Sequence, residues 1–213
     1  MREILPGILT WPWFSTRFGY DFHGFLVRRP DGNLCIDPVE PTDDDLADLA
    51  REGVARILLT NRNHYRAAAR VRERTSARVA VHSADADFVR EKGVAVDDLL
   101  VPGDRIGPFT VVHVAGKSPG EVAFHWPEKR LLVVGDACIG NPPGRLSLLP
   151  AAVMDMPAEL RHSLGRVAAE VDFDTLLLAD GESILGGARA ALQRLVATFD
   201  GSAPTPVSAP KQP

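Results

Sequence analysis

The side chains able to do chemistry in this 213-residue chain are few and scattered: two cysteines, Cys35 and Cys138, and six histidines. Two thiols so far apart make neither a disulfide framework nor a thiolate zinc site. Cys138 follows Asp136 by two residues and invites a nucleophile reading. Nothing in its local sequence would depress its pKa, so an inert buried thiol is expected. Arg62, Arg66, Arg70 and Arg74 recur every fourth residue, with Arg72 and Arg78 nearby. Such a stripe either holds an anion or is a solvated helix face, and only its first members could reach a pocket, beside a helix amino terminus. His64 sits inside that stripe and could carry a proton near neutral pH, although a packing role is the expectation. His82, His113, His125 and His162 read as structural or surface residues.

Composition bounds what these groups can serve. Hydrophobic residues at 45% and charged residues at 24% describe an ordinary globular chain. A formal charge of -4 and a pI near 5.9 leave no general positive field for a phosphate backbone, so no nucleic-acid partner is expected. Met1 to Thr10 contains no basic region followed by an apolar stretch, and no apolar run reaches the length of about 18 residues that a spanning helix needs. The expectation is a cytoplasmic protein without membrane attachment.

The elements that must position the reactive groups follow from periodicity. Phe22 to Arg28 and Asn33 to Asp37 flank the turn signal Pro30-Asp31-Gly32 and predict a hairpin. Thr42 caps a helix whose first turn is Asp43, Asp44 and Asp45 and whose stop is Gly53. Arg56 to Thr60 predicts a buried strand, followed by a helix from about His64 to Thr75, a strand Arg78 to His82, and a helix from about Ser83 to Glu91. Thr110 to Val114, Val122 to Trp126 and Leu131 to Gly135 predict consecutive antiparallel strands. A helix opening at Pro157, a strand Thr175 to Asp180 and a last helix carrying Leu192, Leu195 and Phe199 complete the order. Two packed sheets with helices outside, an αββα sandwich, form one domain over residues 1–200, and the proline-rich residues 201–213 are expected to be a disordered tail.

Four segments in this order carry a resemblance. Asn33 to Pro38 ends in Asp-Pro; Ile57 to Arg66 reads Ile-Leu-Leu-Thr-Asn-Arg-Asn-His-Tyr-Arg; His113 to Gly120 ends in Ser-Pro-Gly and is followed by Leu131 to Ala137, ending in Gly-Asp-Ala; Leu176 to Glu182 ends in Asp-Gly-Glu. Together they resemble the metallo-β-lactamase-fold hydrolase superfamily, in particular its glyoxalase II-like branch. That family's second segment reads Thr-His-x-His-x-Asp-His and supplies ligands to two metal ions. At those positions this chain has Asn61, Asn63, Tyr65 and Arg66, with Lys117 and Asp180 at two further ligand positions and Asp136 alone matching. The resemblance places His23 near the mouth of the site.

Zinc needs three or four deprotonated donors at about 2.0 to 2.3 Å, and Lys and Arg cations offer no lone pair. The expectation is therefore no metal and no cofactor. Arg66 and Lys117 would instead meet Asp136 and Asp180 in a charge network that takes over the electrostatic role of the metals. The expected ligand-binding set is Asn61, Asn63, His64, Tyr65, Arg66, Lys117, Asp136 and Asp180, with Asp136, His64 and Lys117 as catalytic candidates. Three functions follow: a binder of a small anion, a hydrolase of a small ester, thioester or lactone using one weak metal or none, or a structural protein with a vestigial pocket. The sequence sets neither the choice between them nor the oligomeric state.

Overall fold

The computed structural model describes residues 1–199; the expected tail, 201–213, lies outside the described residues. The strands are β1 (Arg2–Leu5), β2 (Ile8–Ser15), β3 (Tyr20–Val27), β4 (Leu34–Ile36), β5 (Arg56–Leu58), β6 (Arg78–His82), β7 (Asp98–Leu100), β8 (Arg105–Ile106), β9 (Phe109–His113), β10 (Val122–Trp126), β11 (Leu131–Val134) and β12 (Thr175–Leu178). The helices are α1 (Asp43–Glu52), α2 (Ala68–Thr75), α3 (Ser83–Glu91), α4 (Pro157–Glu170) and α5 (Ala188–Ala197).

The first sheet runs β1 to β7 in chain order, and the second is ordered β12-β11-β10-β9-β8. Both change character part-way. β4, β5 and β6 pair in parallel after the antiparallel β1-β2-β3-β4, and β12 pairs in parallel with β11 at the end of an otherwise antiparallel sheet. Three hydrophobic layers hold this together. Leu26, Leu49, Val71 and Val89 fill the space between the first sheet and α1 to α3. Phe25, Ile36, Phe109, Phe124 and Leu177 fill the space between the sheets. Leu160, Leu164, Leu176 and Leu192 join the second sheet to α4 and α5. The fold is thus a four-layer αββα sandwich, with apolar residues on both faces of each sheet.

Local chemistry explains most boundaries. The Thr42 hydroxyl accepts from the Asp45 amide while the Asp45 carboxylate accepts from the Thr42 amide, and Gly53 ends α1 at φ 75°. Two strands precede those expected: β1 and β2, the latter carrying Pro12 opposite His23. The proline weakens the strand pattern, and pairing along the whole of β3 overrides it. β5 ends at Leu58 rather than Thr60, and the helix expected from His64 divides into a 3-10 turn, Arg62–Tyr65, and α2, which begins at Ala68. Asn61 causes the division. Its side chain accepts from the Asn63 amide and caps the short turn separately.

Candidate functional site

Two of the parallel pairs, β4 with β5 and β11 with β12, end near one another, and each of the four strands delivers a polar residue just past its carboxyl end. Asp37 follows β4, Thr60 follows β5, Asp136 follows β11 and Asp180 follows β12. Outside the carboxyl ends of parallel strands the backbone turns away and leaves a crevice, the ordinary place for a site in such sheets. The 3-10 turn closes one side of it, and the loop between β9 and β10, carrying Lys117, closes another.

His64 lies at the centre. Its ring is buried between two carboxylates, with Nδ1 2.8 Å from Asp37 Oδ2 and Nε2 3.1 Å from Asp136 Oδ1. The Thr60 hydroxyl donates to Asp37 Oδ2 at 2.6 Å and stands 3.0 Å from His64 Nδ1. Asp37 also accepts from the Thr60 amide at 2.8 Å, and its backbone takes φ 48°, a left-handed conformation that Asp tolerates better than most residues. Burial opposes charge on the imidazole, yet Asp37 and Asp136 outweigh it and push the His64 pKa up to about 10. Both ring nitrogens then donate.

The same contacts act on the acids. Burial would raise Asp136, but the charge and hydrogen bond of His64, with Lys117 and Arg66, hold it well below the usual carboxylate range. Lys117 Nζ lies 3.5 Å from Asp136 Oδ2 and Arg66 Nη2 lies 4.0 Å from Asp180 Oδ1. Asp180 is pushed up to about 7, by burial first and by the Asp136 charge second. Glu121, fully buried, is raised for the same two reasons; its Oε1 accepts from Asn61 Nδ2 at 3.3 Å, and among the described residues its Oε2 has no partner.

A pocket of about 420 Å³ opens above this layer, lined by Asn63, Arg66, Lys117, Asp136 and Asp180 at its base. Asn61 and His64 lie beneath it, not on its wall. Tyr65 is elsewhere, packed edge-on to Phe88 at 6.3 Å and against the first core, because a 3-10 turn points successive side chains in different directions. Buried Asp37 and Glu121 belong to the charge layer but were outside the expected set; Asp37 was legible as the end of the Asp-Pro segment, whereas nothing local marked Glu121. The cysteines are inert in this sense: burial pushes the Cys138 thiol up to about 12 and raises Cys35 as well.

The donor set can be tested against a metal. One atom each of His64, Asp136 and Asp180 lies within 4.8 Å of the others, close enough to surround an ion. Both imidazole nitrogens are, however, engaged by carboxylates, and the Lys117 ammonium sits against Asp136. A divalent ion there would meet bound protons and a fixed cation in place of lone pairs.

The fold and these segments define a class. The metallo-beta-lactamase superfamily model matches residues 2–199, and the chain belongs to that superfamily. It is 31% identical over 193 residues to a hydroxyacylglutathione hydrolase of Fuscovulum blasticum, covering 87% of this chain and 70% of that protein. A hydroxyacylglutathione hydrolase of Cereibacter sphaeroides is also 31% identical, over 79% of this chain and 66% of its own length. The chain thus spans about two thirds of the curated relatives it matches. Among solved structures, a metallo-beta-lactamase from Pontibacter korlensis superposes with a TM-score of 0.76 at 15% identity, over 94% of this chain and 98% of that one. A protein solved in a di-iron-bound form superposes with a TM-score of 0.64 at 25% identity, over 87% and 98%.

Proposed function

We propose that this protein binds a small anionic ligand without a metal ion, its buried charge layer standing where relatives of the fold place metals. The observation that carries the reading is the state of the pocket's cations. Arg17, Arg66 and Lys117 all line it, and among the described residues their side chains donate no hydrogen bond; Lys117 and Arg66 stand 3.5 and 4.0 Å from carboxylate oxygens, and Arg17 lies over the Phe18 ring at 5.2 Å. Donors held in place and unspent are what an anion requires. Beneath them His64 is locked between Asp37 and Asp136 and cannot act as a free base, while Cys138 is a poor nucleophile.

The test is calorimetric titration of the full chain with inorganic phosphate and with acetate. Saturable binding that Lys117→Met abolishes is the expected result; no heat with either anion would refute it. A second reading is favoured by the proximity of His64, Asp136 and Asp180: hydrolysis of a small ester, thioester or lactone on a single metal held by those three. Stoichiometric zinc uptake near neutral pH, with release of protons from the imidazole, would favour it over the first.

A further inference from the structure

We infer that the ligand is a monocarboxylate joined to an apolar or aromatic body, a narrower class that rests on the anion-binding reading above. The pocket has two chemically distinct sides. Its base holds Lys117, Arg66, Asp136 and Asp180, while its wall is built from Trp13 on β2, Phe18 in the β2–β3 turn and Phe22 on β3, with Leu149 and Val153 also lining it. Trp13 and Phe18 each pack on Phe22 with ring centroids 5.7 Å apart, so the rings form one continuous face.

Among the described residues, nothing covers that face completely. Trp13 and Phe18 remain 39% exposed and Val153 36%, all at the same concave site rather than scattered over the surface. Apolar area kept in water at a pocket is stabilised by whatever removes it from water, at about 25 cal/mol per Å². An inorganic anion would leave the rings wet. A carboxylate with an alkyl or aryl body would bring its head to the cations and cover Trp13 and Phe18 at once, and a cavity of about 420 Å³ accommodates such a molecule.

Charge selects the head group. Arg17, Arg66 and Lys117 share the pocket with Asp136 and Asp180, and because burial favours the neutral form of Asp180, the three cations outweigh the acids. An anion at Lys117 sits beside Asp136, whose carboxylate oxygen lies 3.5 Å from the ammonium, so the second charge of a dianion would be pressed against a like charge and a monoanion is favoured. The aromatic wall also takes part in holding the cations, since the Arg66 guanidinium lies 4.3 Å from the Phe22 centroid and is fixed over it.

Calorimetry with acetate, hexanoate, phenylacetate, phenylacetamide and inorganic phosphate separates the two readings. Hexanoate and phenylacetate should bind roughly tenfold or more tightly than acetate, and phenylacetamide should lose roughly tenfold against phenylacetate. Trp13→Ala should bring the phenylacetate-to-acetate ratio towards one, and Phe18→Ala, at a turn, should do the same if the first variant folds poorly. Equal affinity for acetate and phenylacetate, or phosphate binding tighter than both, would overturn this inference and leave the anion-binding reading standing. Absence of binding by every anion would overturn both.

Discussion

His64 carries a positive charge in a place where burial opposes any charge, and it does so because two carboxylates face its two nitrogens. Removing it leaves Asp37 and Asp136 buried and opposed, so His64→Leu should cost about 3 to 5 kcal/mol in urea unfolding. Lys117→Ala should cost less, about 1 to 2 kcal/mol, since Asp136 keeps the imidazole as a partner. The sequence sets Arg66 and Lys117 against Asp136 and Asp180; the His64 imidazole, with its direct hydrogen bond, supports Asp136 more than Lys117 does. The pH dependence has a definite sign. A base raised from 6.5 to about 10 contributes stability that is complete below its unfolded value and lost as pH rises through its folded one, so urea midpoints should fall on the alkaline side between those values. Asp180, an acid raised from 3.8 to about 7, favours folding at low pH and loses that contribution over its own, lower window. Midpoints that stay level from neutral to pH about 10 in the wild type, or that fall equally in His64→Gln, would contradict the assignment.

At the scale of elements, the site depends on how the 3-10 turn and the Lys117 loop are tied together. Asp85, at the start of α3 and fully buried, accepts from the Arg62 amide at 2.9 Å, the Gly120 amide at 3.1 Å and the Ser118 hydroxyl. One carboxylate therefore staples the loop bearing Lys117 to the turn bearing His64. Asp85→Ala would leave three donors buried without acceptors and should cost about 3 kcal/mol or more, with Asp85→Asn, which keeps one oxygen, costing less. Phosphate affinity should fall in parallel if the loop loosens. Gly135 is a second fixed point. A Cβ there would lie 2.1 Å from Thr60 Oγ1 and 3.0 Å from both Asn61 Nδ2 and His64 Cε1, so Gly135→Ala should destabilise by about 1 to 3 kcal/mol and displace the imidazole, visible in its NMR resonances. Neither tie was legible from local patterns. Thr42, Asp45 and Gly53 announce α1 because capping is a contact between near neighbours, whereas Asp85 meets Gly120 across 35 residues. The turn itself was missed for a related reason: Asn61 was read as a lost ligand, although Asn is also a residue that caps short turns.

For the whole molecule, the order of layers was readable because each sheet announces itself in runs such as Ile57 to Leu59 and Leu131 to Val134, buried on both faces, and because Ser118-Pro-Gly and Gly135-Asp-Ala recur at the family's spacing. The charge layer was only partly readable. The parallel pair β11 and β12 delivers Asp136 and Asp180, while Lys117 comes from the β9–β10 loop and Arg66 from the end of the 3-10 turn; His64 sits one residue away from the family's ligand positions, and only the 3-10 turn brings its ring to the centre. The layer has a consequence for metal binding that concerns the entire folded state. An ion would have to displace the proton shared with His64 and approach Lys117 and Arg66, whereas the present arrangement already satisfies Asp136 and Asp37. Protein purified without added metal should therefore hold well under one zinc, iron or manganese per chain by elemental mass spectrometry. A chelator should leave the melting temperature unchanged, because a ligand that binds only the folded state stabilises it in proportion to its occupancy, and removal of an ion that is not held changes nothing. A substoichiometric trace removed by dialysis agrees with this. Metal at one or two equivalents that survives dialysis, together with a lower melting temperature after chelation, would mean that the three donors of His64, Asp136 and Asp180 open to an ion and that the charge layer is only the resting form of a metal site.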